Sequence, residues 1–151
     1  MSLRSDVIVV GAGPAGSAAA LVCARAGLRV LLVERGEYPG TKNVSGAAFY
    51  SPQVLEELLG EFWRCAPVER VLARRVISFT SASSSLAVDF RSERLKEPPY
   101  NGFTVLRPAF DRWLAEQATS AGATLLPSTV ADGLLRDGRD RVVGIRVRRP
   151  E

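Results

Sequence analysis

Residues 6–35 read DVIVVGAGPAGSAAALVCARAGLRVLLVER, and the order of their parts decides the fold. Asp6 opens an apolar run, Val7 to Val10, of the β-branched kind expected of a strand buried on both faces of a parallel sheet. The run stops at Gly11, and Gly11, Gly13 and Gly16 complete the spacing G-x-G-x-x-G. The first glycine permits a tight turn, the second bares backbone to an incoming phosphate, and the third lets the next helix lie close to the strand. Pro14 presets φ for the first helical turn, where free N–H groups and the positive end of the helix dipole favour an anion. The alanine-rich helix is expected over Pro14 to Ala26, with Gly27 at its end, and Leu28 to Val33 then reads as a second strand. Glu34 follows 18 positions after Gly16, close to the spacing of about 20 at which a carboxylate meets the ribose hydroxyls of an adenosine. The same carboxylate would repel a 2′-phosphate. The class is α/β, built on a Rossmann-like βαβ unit with a parallel sheet. The ligand class is an adenine dinucleotide, and the motif alone leaves NAD and FAD open.

Outward from this unit, composition narrows the function. The chain has 151 residues, 46% of them hydrophobic, which suits a packed globular domain. No apolar run has the length of about 18 residues needed to span a bilayer, and no basic-then-apolar leader precedes Asp6. The cytoplasm is the expected compartment. The formal charge of +4 comes from arginine, with lysine only at positions 42 and 96. Six arginines fall between Arg136 and Arg149, but Asp132, Asp137 and Asp140 are interleaved with them, as on the solvated face of a hairpin. No aromatic residues accompany that cluster, so nucleic-acid binding is not expected. Histidine is absent and the two cysteines, Cys23 and Cys65, lack metal-ligand spacing, which argues against a metal site and against Ser-His or Cys-His catalysis. Cys23 reads as a small core residue and Cys65 as a free thiol. Any redox chemistry must come from a cofactor.

Farther along, GEYPGTKNVSG (residues 36–46) reads as a loop that ends in the small residues Ser45, Gly46, Ala47 and Ala48, a composition that permits a flat ring to approach. Lys42 in this loop is read either as a point charge for a ligand or as an ordinary surface lysine. Ser51 and Pro52 resemble a helix start, with Val54, Leu55, Leu58, Leu59 and Phe62 at helical spacing. Val76 to Thr80 and Leu86 to Phe90 read as a hairpin around Ser81 to Ser85, and Phe103 to Leu106 as a further strand. A helix is expected from Pro108 to Gly122, preceded by Arg107, which spacing leaves open as an anion contact or as a capping or surface arginine. Thr124 to Leu126, Thr129 to Leu135 and Arg141 to Val147 read as strands, and no domain linker is evident.

Three of these segments resemble the FAD-dependent family that contains FixC and the electron-transfer flavoprotein:quinone oxidoreductases, with the geranylgeranyl reductases more distant. They are DVIVVGAGPAG with VER, the loop GTKNVSGAAFY, and VLRPAFDRWLAEQATSAGA; APVER at residues 66–70 adds to the likeness. The first is shared by many flavoproteins, whereas the loop and the Arg-x-x-Phe-Asp-x-x-Leu helix are more specific. The resemblance implies FAD as the cofactor, with Gly11, Gly13, Pro14, Ala15 and Gly16 at its pyrophosphate, Glu34 at the adenosine ribose and Arg35 beside the adenosine. Ser45, Gly46 and Ala48 would lie beside the flavin, Arg107 would contact the middle of the cofactor, and the Val130 backbone would meet adenine.

The resemblance also implies partners and limits. The parent protein would take electrons from an electron-transfer flavoprotein and pass them to a quinone or a ferredoxin-like partner, in the cytoplasm or at the inner face of the membrane. A geranylgeranyl reductase or flavin monooxygenase-like activity is the alternative enzyme, and a catalytically silent nucleotide-binding module the alternative of another class. No side chain is nominated as a catalytic acid or base. Family members are much longer, so residues 1–151 are expected to be the N-terminal part of the FAD-binding domain. The fold would then be incomplete, with the later flavin motifs and the substrate or quinone domain outside it.

Overall fold

A computed structural model describes residues 4–50 and 52–149. In it β1 (Val7–Val10) runs parallel to β2 (Val30–Val33), Val7 facing Val30 and Val10 facing Val33. On the far side of β2 lies β8 (Thr124–Leu126), also parallel, giving the order β1-β2-β8. The crossovers carry α1 (Pro14–Arg25) and α3 (Arg107–Ser120). Both step in the same direction across the sheet, so right-handed connections put both helices on one face, and α1 and α3 pack together there. The buried positions of α1, Ser17, Ala20, Leu21 and Ala24, form one helical stripe. Those of α3 are Phe110, Asp111, Leu114, Ala115 and Ala118.

The first strand differs from its expected burial. All four residues of β2 are buried, but Val7 to Val9 are half-buried and Val10 is 59% exposed. The reason is lateral: β2 is flanked by two strands, whereas β1 has one neighbour among the described residues. The second strand begins at Val30, later than the expected Leu28, because the Leu28 N–H donates back to the Cys23 carbonyl at 3.2 Å and closes the helix end. Cys23, expected in the core, is half-buried.

Two compact units emerge from the contacts. One combines residues 1–45 and 107–151, the other is residues 46–106. The first unit also holds the hairpin of β9 (Val130–Arg136) and β10 (Val142–Arg148). Its arginine cluster is a paired, exposed surface, with Arg141 2.6 Å from Asp137 and Arg146 3.0 Å from Asp132.

The second unit is antiparallel. Its central strand β7 (Gly102–Leu106) pairs with β3 (Gly46–Tyr50) on one side and β4 (Val68–Val71) on the other. Beneath them Phe62 and Phe103, each 1% exposed, meet edge to face at 5.8 Å, and Phe49 approaches Phe62 at 6.1 Å. The helix expected through Phe62 ends earlier: α2 spans Gln53–Leu59 and Gly60, at φ +65°, turns the chain into a short 3₁₀ segment, Phe62–Arg64. The proposed helix start at Ser51 lies outside the described residues. Strands β5 (Arg74–Thr80) and β6 (Ser85–Arg91) make the expected hairpin, in which Ser81 Oγ accepts the Ser84 N–H at 3.1 Å. Among the described residues no helix is long and apolar enough to cross a membrane.

Candidate dinucleotide-binding site

The glycine turn joins the end of β1 to α1, and its geometry follows from absent side chains. A Cβ on Gly16 would fall 1.9 Å from the Gly11 carbonyl oxygen and 3.3 Å from Val9 Cγ1, so only glycine lets α1 start this close to the strand. A Cβ on Gly13 would meet no protein atom within 4 Å, so the backbone there borders open space. The first intrahelical bond runs from the Ser17 N–H to the Gly13 carbonyl at 2.9 Å. The N–H groups of Ala15 and Gly16 therefore precede the ladder, Pro14 has none to offer, and Gly13 supplies no side-chain cap. The first turn also holds no acidic residue. Bare N–H groups, the helix dipole and open space together fit a pyrophosphate.

Glu34 stands directly after β2 and reaches across to this turn. Its Oε2 accepts the Ala12 N–H at 2.9 Å and its Oε1 accepts the Gly36 N–H at 2.7 Å. The carboxylate is thus held beside the glycine turn by two backbone donors, and each oxygen keeps a lone pair for a ribose hydroxyl. The segment after β8 runs alongside: the Glu34 N–H donates to the Leu126 carbonyl at 2.9 Å, and the Thr129 N–H to the Glu34 carbonyl at 2.9 Å. Val130, the next residue, is thereby placed near the acid, while Arg35 is exposed.

Arg107 opens α3, and its guanidinium is held by a carboxylate of the same helix. Its Nε and Nη2 donate to Asp111 Oδ1 and Oδ2, each at 2.8 Å, a bidentate pair whose acid is buried. This contact raises the guanidinium pKa further. The Arg107 N–H donates to the Ser45 carbonyl at 3.3 Å, which ties the end of the 36–45 loop to the helix start. Gly46 and Ala48 lie on β3, in the other unit, and both are exposed. Lys42 is exposed. Asn43 and Asp111 carry a connection that sequence reading did not assign; the only hint was the four-residue spacing of Arg107 and Asp111, which puts both on one helical face.

A family model described as FAD dependent oxidoreductase matches residues 6–151. The chain belongs to the FAD dependent oxidoreductase family. Protein FixC of Bradyrhizobium diazoefficiens is 44% identical over 146 residues, covering 97% of this chain and 33% of FixC. The probable electron transfer flavoprotein-quinone oxidoreductase YdiS of Escherichia coli K12 is 47% identical over 143 residues, covering 95% of this chain and 33% of YdiS. Among solved structures, a geranylgeranyl bacteriochlorophyll reductase-like protein of Thermoplasma acidophilum aligns with a TM-score of 0.76 at 28% identity, covering 96% of this chain and 35% of that one. The chain spans about a third of the length of the curated relatives it matches. FAD, the cofactor of this family, would supply the redox chemistry when bound. The residues described above have the donors and the acceptor that its adenosine and pyrophosphate require.

Proposed function

We propose that this chain is the dinucleotide-holding portion of a FixC-like flavoprotein that takes electrons from an electron-transfer flavoprotein and passes them toward a quinone or a ferredoxin-like acceptor. The observation that carries the reading is the unpaired α1 N-terminus beside the tethered Glu34 carboxylate, in a chain 44–47% identical to FixC and YdiS. In this reading Gly11, Gly13, Pro14, Ala15 and Gly16 receive the pyrophosphate, and Glu34 accepts the adenosine ribose hydroxyls. Arg35 flanks the adenosine and the Val130 backbone meets adenine. Arg107 contacts the middle of FAD, and Ser45, Gly46 and Ala48 lie along the flavin. These residues bind and orient; none moves a proton.

The test is the visible spectrum of the purified chain after incubation with FAD and desalting. Retained flavin bands, bleached by a reduced electron-transfer flavoprotein, support the reading, whereas a colourless chain refutes FAD retention by these residues. The similarity to the geranylgeranyl reductase-like structure favours a second reading, in which reduced flavin acts directly on an organic substrate. Flavin that is reduced by a nicotinamide cofactor and is indifferent to the electron-transfer flavoprotein would select it.

A further inference from the structure

Asp111 is the one fully buried ionisable side chain among the described residues, and the function proposed above gives it no task. A buried carboxylate is costly unless paired and hydrogen-bonded, and replacing a buried ion pair by well-packed apolar residues often leaves stability unharmed. Packing alone therefore gives no reason for an acid at this position.

Its bonds point outward from the core, to two elements of the candidate site. Two go to Arg107, and the third comes from Asn43 Nδ2, which donates to Oδ2 at 2.7 Å across 68 positions of sequence. The loop carrying Asn43 is pressed onto the same helix turn. Gly40, at φ +90°, comes so close that a Cβ there would lie 2.7 Å from the Pro108 carbonyl oxygen and 3.1 Å from Asp111 Cβ. The Asn43 N–H donates to the Gly40 carbonyl at 2.9 Å, and the loop ends at Ser45, bonded to the Arg107 N–H.

We propose that Asp111 is a positioning residue for the dinucleotide. It fixes the plane of the Arg107 guanidinium and, through Asn43, the path of the loop that ends at Ser45. A guanidinium is a rigid fork, so a bidentate carboxylate on Nε and Nη2 sets the direction of Nη1 as well. Nη1 makes no hydrogen bond among the described residues and is the edge left for the cofactor. This inference rests on the dinucleotide reading of the site and assigns within it how the flavin-side half is held.

The experiment titrates the 151-residue chain with FAD and, separately, with ADP, which reports only the glycine turn and Glu34. The proteins are wild type, Asp111→Asn, Arg107→Gln and the double variant, each checked for a cooperative melt. Asp111→Asn and Arg107→Gln should each weaken FAD binding about tenfold, the equivalent of one charge-assisted hydrogen bond. The double variant should bind FAD as Arg107→Gln does, and ADP affinity should stay level in all four. Equal losses for ADP and FAD would reduce Asp111 to support of the fold and overturn the proposal, as would unchanged FAD affinity or additive losses. If Asp111→Asn alone does not fold, Arg107→Gln against the double variant still decides, because the proposal requires equal FAD affinities. A wild type that binds FAD no tighter than ADP overturns this inference and leaves the dinucleotide reading standing. A wild type that binds neither refutes both.

Discussion

Glu34 connects spacing to chemistry at the level of one side chain. Its spacing from Gly16 predicts a carboxylate for a ribose, but the two backbone bonds that hold it beside the glycine turn, from Ala12 and Gly36, became visible only in the fold. The acid braces the glycine turn, and in the proposed function it also receives the ribose. Glu34→Ala should weaken ADP binding by about 1–3 kcal/mol, the worth of a lost charge-assisted hydrogen bond, and should also lower the melting temperature because two N–H groups lose their acceptor. Calorimetric titration and a thermal melt check the two effects, and unchanged ADP affinity would contradict the ribose assignment. At the other end of β1, Asp6 accepts the Arg29 side chain at 2.7 and 3.0 Å and the Arg29 N–H at 2.9 Å. These bonds pull its pKa from 3.8 to about 2, the side-chain bond most strongly. A depressed carboxylate pKa stabilises the fold above the unfolded value, and that contribution fades as pH falls from 3.8 toward about 2. Carboxyl chemical shifts of Asp6 followed against pH should give the low midpoint, and Arg29→Gln should return it toward 3.8.

Helices and strands were legible where composition and period agree. The β1-turn-α1-β2 unit and β8 lie where the apolar runs and glycines put them. Two strands escaped reading, β3 and β4. Gly46, Ala47 and Ala48 have little strand preference of their own, and the alternation of β3, exposed at Gly46, Ala48 and Tyr50 and half-buried between, is muted by side chains that small. Val68–Val71 carries Glu69 and Arg70 at its centre and gains its strand identity from pairing with β7. The α1–α3 contact has a similar logic, since small residues matter there through what packs against them. Ala20 and Ala118 are both 0% exposed, Ala115 and Leu21 1%. A longer side chain would force the helices apart, so Ala20→Leu should destabilise by about 1–3 kcal/mol, read as a lower denaturation midpoint with an unchanged slope. An Ala20→Leu chain as stable as wild type would mean that α1 can shift on the sheet without cost.

Chain order concealed the division into two units, because the first is assembled from segments on both sides of the second. Nothing in residues 46 or 106 marks a boundary; what makes one is that Ser45 and Arg107 meet, the Arg107 N–H donating to the Ser45 carbonyl. For the same reason the Asn43–Asp111 bond could not be read from either segment alone. Adjacent ends have an energetic consequence. Closing a short loop between residues already in contact adds little entropy cost, since that cost grows only as the logarithm of loop length. The parallel sheet, the α1–α3 packing, the glycine turn and Glu34 all belong to the first unit. A chain in which residues 46–106 are replaced by a short glycine-serine linker should therefore melt cooperatively and bind ADP within about threefold of the full chain, a difference below 1 kcal/mol. A shortened chain without a cooperative melt would mean that the first unit requires the second to fold. One that melts cooperatively but fails to bind ADP would place part of the adenosine site in residues 46–106.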